Sequence, residues 1–145
     1  MYKHFITIFI LFGLSWTGCN NKTPSREHIP FIKEQFYNLQ EAIKTNNTAV
    51  LDSLMSVKML DEKQDADSLL SFIYGSAGQY GFDHFGEYEI FYTKDKARVD
   101  CYLMDTTALK DRPAAFTFIL DNDRWLLKRF ETGHPRKDLD TIETE

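Results

Sequence analysis

The chain has 145 residues, 43% apolar and 27% charged, a length that holds one hydrophobic core rather than two and a balance that excludes a disordered or membrane-embedded body. Its formal net charge is −5, and without Lys3, the lone charged side chain of residues 1–18, the remainder carries −6. Nucleic acid is therefore excluded as the expected partner, and so is an overall basic surface gripping anionic lipid, because both depend on an excess of Lys and Arg.

In chain order, Met1-Tyr2-Lys3-His4 makes a short positive start, and an apolar run follows from Phe5 to Ser15. The run is too short to span a bilayer, which takes about 20 apolar residues, but it suits the core of an export signal. Its apolar residues have no one-sided periodicity, so a soluble core helix fits poorly. Trp16-Thr17-Gly18-Cys19 closes the segment. Thr17-Gly18-Cys19 resembles the lipobox of bacterial lipoproteins, with Trp16 departing from the usual Leu or small aliphatic residue. The resemblance implies a diacylglyceryl group on the Cys19 thiol, cleavage before Cys19 by signal peptidase II, and attachment to a membrane through that lipid. Two or three acyl chains anchor stably where one binds only marginally. Asn20-Asn21 puts no aspartate after the cysteine, so the expected place is the cell envelope, facing the periplasm, with the outer membrane preferred.

The expected divisions are a signal peptide over 1–18, lipidated Cys19 and a polar tether over 19–26, a folded domain over 27–131 and a flexible polar tail over 132–145. Cys101 is then left without a disulfide partner and reads as a small buried hydrophobe.

The first half of the domain has helical periodicity. Ile32, Phe36, Leu39 and Ile43 mark one face of a helix over about 29–45, with Pro30 in its first turn. Asn46-Asn47-Thr48 breaks it and caps a second helix over about 48–56, whose buried stripe is Val50, Leu51, Leu54 and Met55. A polar linker runs from Asp61 to Asp65, and a third helix is expected over about 66–79 on Leu69, Leu70 and Ile73. The second half alternates with period two over His84–Thr93, Ala97–Met104, Ala114–Leu120 and Arg124–Glu131. Lys94-Asp95-Lys96 and Asp121-Asn122-Asp123 are tight polar connections, which make antiparallel hairpins. The expected fold class is α+β, with N-terminal helices packed on a curved four-stranded antiparallel meander sheet.

Phe36-Tyr37-Asn38-Leu39-Gln40-Glu41-Ala42-Ile43, Leu51-Asp52-Ser53-Leu54-Met55-Ser56, the Tyr80-Gly81 stop and the final hairpin from Phe116 to Leu127 follow one another in a familiar order. That order resembles the nuclear transport factor 2-like superfamily over residues 27–131. The resemblance implies a cone of helices and bent sheet with a pocket at its wide end. Some members are enzymes similar to ketosteroid isomerase or polyketide cyclases; many others are non-catalytic, and fold alone does not choose between these roles.

Proton abstraction beside a carbonyl needs a pocket carboxylate and a hydrogen-bond donor for the oxyanion. Tyr37, Asp100 and Tyr102 are the weak catalytic candidates, and Asp100 and Tyr102 point the same way along their strand. The competing reading puts both on the solvent face, opposite Val99, Cys101 and Leu103. His28, His84 and His134 form no metal-ligand spacing, Gly75-Ser76-Ala77-Gly78 is no phosphate loop, and no nucleophile elbow is present. His84 beside Asp83 reads as a strand-edge polar pair, and Asp61, Glu62, Asp65 and Asp67 as a solvated linker without the spacing of a cation loop. No cofactor and no metal is expected. The sequence thus points to a lipid-anchored binding or interaction module, its partner a small molecule or an envelope protein, with a homodimer through the sheet as a further option. The alternatives are a small pocket isomerase or hydrolase and a structural subunit of an envelope complex.

Overall fold

The structure, a computed structural model, describes residues 27–62 and 64–132. The expectations for residues 1–26, lipidation of Cys19 among them, and for 133–145 lie outside the described residues. Four helices lead into four strands: α1 (His28–Lys44), α2 (Thr48–Leu54), α3 (Val57–Asp61), α4 (Ala66–Tyr74), β1 (His84–Tyr92), β2 (Lys96–Asp105), β3 (Lys110–Asp121) and β4 (Arg124–Thr132). This is the α+β arrangement expected, with the sheet in the order β1-β2-β3-β4 and every pairing antiparallel.

The repeat of Ile32, Phe36, Leu39 and Ile43 forms α1, and all four are buried. The helix stops at Asn46, whose φ of 50° is left-handed. Asn47 then caps α2, its side chain accepting the Val50 N–H at 3.2 Å, a bond of the kind that stabilises a helix by about 1 kcal/mol.

Two expectations are corrected in this half and one element is added. Val50 is 39% exposed, because α2 turns Leu51 and Leu54 inward instead. A short helix that was not foreseen precedes the linker and reaches it at Asp61: Ser56 Oγ accepts the Met59 N–H at 3.3 Å and starts α3, which buries Met59 completely. The last helix ends at Tyr74 rather than near residue 79. Gly75 there takes φ 78° and ψ 156°, a region closed to side chains. Arg112 of β3 donates to the carbonyls of Phe72 and Ile73, which the helix end leaves without intrahelical donors.

In the sheet, Asn122 and Asp123 both have positive φ between the paired residues Asp121 and Arg124. That is a two-residue hairpin loop whose twist matches the strands it joins. β3 starts at Lys110, earlier than expected, and includes Pro113. Pro113 is paired with Tyr102 of β2, and the described pairing of β3 with β4 runs up to Ala114↔Thr132. One extra residue interrupts β1 between Gly86 and Glu89. Another interrupts β4 at Lys128, between Leu127 opposite Phe118 and Arg129 opposite Thr117. Such bulges bend a strand and increase its twist, which wraps the sheet around the helices.

Alternation sends Ala97, Val99, Cys101 and Leu103 of β2 toward the helices, where they join Phe116, Phe118, Leu127 and the α1 stripe in one core. Both edge strands are tied to the helical layer. The Phe85 N–H of β1 donates to Gln40 Oε1 of α1 at 2.8 Å. The Ser56 N–H donates to the Leu127 carbonyl of β4 at 2.8 Å, beside a short parallel bridge between Met55 and Leu127.

Candidate functional site

A cone of this order has room for a site between helices and sheet, and here aromatic rings occupy that space. Phe36 stacks on Phe85 with ring centroids 4.4 Å apart, and Phe116 lies 5.1 Å from Phe85 and 5.9 Å from Phe36. Phe82 meets Phe85 at 5.0 Å, and Phe72 meets Phe130 at 4.9 Å. Offset and edge-on pairs at these distances add attraction beyond their burial. The expected internal pocket is thus taken up by packing among these side chains. Two depressions lie outside. One, about 300 Å³, sits where α1 meets α2, lined by Asn38, Glu41, Thr45 and Val50 among others. The other, about 310 Å³, lies between α3 and β4 and is lined by Lys58, Glu62, Gln64, Lys128 and Arg129.

The three catalytic candidates do not converge. Tyr37 is 60% exposed on α1, whereas Asp100 and Tyr102 point to the sheet face away from the core. The solvent-face reading of Asp100 and Tyr102 is corrected in part: Asp100 is buried, its side chain only 4% exposed, and Tyr102 is half-buried. Arg98 supplies the reason. Its Nε donates to Asp100 Oδ1 at 2.7 Å, and its Nη1 donates to Glu131 Oε1 of β4, also at 2.7 Å. To reach β4 the Arg98 side chain must cross β3, where its cross-strand partner is Thr117 and Asp100 lies opposite Ala115. These two small residues leave room for it. Burial alone would lower the pKa of the Arg98 guanidinium, but the hydrogen bonds and charges of Asp100 and Glu131 outweigh it and raise the value. Arg129 adds a second cation, 3.1 Å from Glu131.

This network joins β2 to β4 across the middle of the sheet. A general base must reach a substrate proton within hydrogen-bond distance. Asp100 has one oxygen on Arg98 and the other buried without a donor, so the arrangement holds strands together rather than offering a carboxylate to a ligand.

The remaining polar residues are placed singly. Cys101 is buried, and burial first, then the charge of Asp100, pushes its thiol pKa well above the ordinary range, so the thiolate needed for reactivity is disfavoured. His28 sets its ring edge-on to Trp125 at 5.6 Å. Asp83 accepts from the Thr106 N–H at 2.6 Å and the Thr106 hydroxyl at 2.5 Å, and the charge of the adjacent His84 acts on it as well. Among the described residues no group of three or more His, Cys, Asp or Glu could hold a metal ion. Lys58, Lys128 and Arg129 were not singled out by sequence reasoning. The available signal was the pair Lys128-Arg129, two adjacent cations after the apolar run Trp125-Leu126-Leu127.

Helices followed by a bulged antiparallel meander, closed over an aromatic core, define the class of fold. A designed nuclear transport factor 2-like protein of solved structure, titled Rd1NTF2_05 with five substitutions, superposes with a TM-score of 0.50. The identity is 13%, and the likeness covers 70% of this chain and 96% of that one. At this identity the likeness is one of fold alone, and the fold is nuclear transport factor 2-like. No protein-family model matches the chain, and no curated protein does.

Proposed function

We propose that the chain is a lipid-anchored module of the cell envelope that binds or interacts through the outside of its nuclear transport factor 2-like domain. One observation carries the reading: the space a pocket would occupy is filled by Phe36, Phe85 and Phe116 packed on one another. Contact with a partner then falls to the outer surface. The anchor rests on Thr17-Gly18-Cys19 at the end of the apolar run. No helix among the described residues is long and apolar enough to cross a membrane. Under this reading acyl chains hold an acidic body at the bilayer, facing the periplasm, with the outer membrane preferred. Its partner is an envelope protein, a small molecule taken at the surface, or a second copy.

Palmitate labelling in the native host tests the anchor. Label is expected on the native chain and not on Cys19→Ser, which should also fail to mature normally. A Cys19→Ser chain that carries label, or is processed and located like the original, contradicts the reading.

A further inference from the structure

Among the described residues, the depression between α3 and β4 gathers Lys58, Lys128 and Arg129 with Gln64 and one carboxylate, Glu62. Such a concentration of cations is unexpected on a chain of net charge −5. Among the described residues no ion pair engages Lys58 or Lys128. Arg129 gives one Nη2 to Glu131 at 3.1 Å and keeps its other N–H donors.

The backbone builds this convergence. Strict alternation would send Lys128 and Arg129 to opposite faces of β4. The bulge at Lys128 removes that constraint, and both side chains line the same depression. The bond from Ser56 to Leu127 sets the first turn of α3, and Lys58 with it, against that stretch of β4. Like charges held together in one concavity repel, and an anion with several oxygens relieves that repulsion.

Position indicates which anion. His28 opens α1 and touches Trp125, three residues before Lys128 on β4. A strand advances about 3.3 Å per residue, so the depression lies roughly 10 Å along β4 from the point where the chain leaves toward Cys19. The eight residues 19–26 span at most about 28 Å when fully extended. An acylated Cys19 therefore holds this face within reach of lipid headgroups.

We infer that the depression is a phosphate-binding site for the headgroups of anionic phospholipids and that it orients the domain on the bilayer. The lipid source rests on the anchor reading above; the cation cluster does not.

Hydrogen exchange on the full chain tests the site. The probes are dihexanoyl-phosphatidylglycerol below its micelle concentration, the phosphatidylcholine analogue and inorganic phosphate. Phosphatidylglycerol should slow exchange over 57–62 and 127–129, and phosphatidylcholine should not. Lys58→Gln with Lys128→Gln should weaken the effect by about tenfold or more, the loss expected for two charge-assisted contacts to a phosphate. The variant should unfold at the native temperature, since neither lysine has an ion pair among the described residues. Because these probes need no anchor, a failure of palmitate labelling leaves the readout intact. Protection by inorganic phosphate equal to that by phosphatidylglycerol would overturn the lipid source. Protection by none of the probes, or undiminished binding by the variant, would overturn the site.

Discussion

Arg98 holds two carboxylates from different strands, and its removal would leave Asp100 buried with neither oxygen partnered. Stranding one member of a buried pair costs about 3–5 kcal/mol; with Arg98 itself 17% exposed, Arg98→Met is expected to cost roughly 2–4 kcal/mol in urea unfolding. Adding Asp100→Leu should recover most of that loss, because the stranded charge is then gone. A single variant within about 0.5 kcal/mol of native would show the network to be idle. At this scale the sequence was only partly legible. Alternation gives the face on which Asp100 lies, but not how crowded that face is. The crowding depends on Ala115 and Thr117 of another strand being small enough for Arg98 to lie over them.

At the scale of elements, the stripe of α1, the Asn47 cap and the two-residue loop at Asn122-Asp123 were readable, because each is set by neighbours within a few residues. α3 was not: five residues are too few to show a period, and its burial of Met59 depends on β4. The length of α4 was overestimated because Gly75 and Gly78 in a helical pattern read as weakening it rather than ending it, whereas Gly75 has φ 78°. Gly75→Ala is expected to destabilise by about 1–3 kcal/mol, the cost of forcing a side chain into that region, measured as a fall in the urea midpoint.

Element ends also carry the acid sensitivity. Asp83 is held below its usual pKa of 3.8 by the Thr106 hydroxyl and N–H, Asp105 by the N–H groups of Ala108 and Gly81, and Asp65 by the Ser68 N–H. Lowered carboxylate values contribute stability that is fully present above 3.8 and is lost as pH falls through the folded-state values. The melting temperature should therefore fall on acidification below about pH 4, and Asp83→Asn should flatten that fall. An identical acid profile in the variant would remove Asp83 from the account.

Over the whole molecule, fold was more legible than function. Hydrophobic period and short hairpins were enough for the α+β order, since they act along the chain. The state of the interior was not legible, because 12 Phe and 7 Tyr serve equally to line a cavity or to fill one. The basic depression escaped for a similar reason: net charge averages over the surface, while the bulge at Lys128 concentrates cations at one place. What the domain does thus turns on whether its aromatic rings close the cone. Diffraction from crystals held under xenon measures this most directly, since the gas enters apolar cavities that water leaves empty. The account predicts no ordered xenon and no co-purified ligand among Phe36, Phe85 and Phe116; density for either in that space would contradict it.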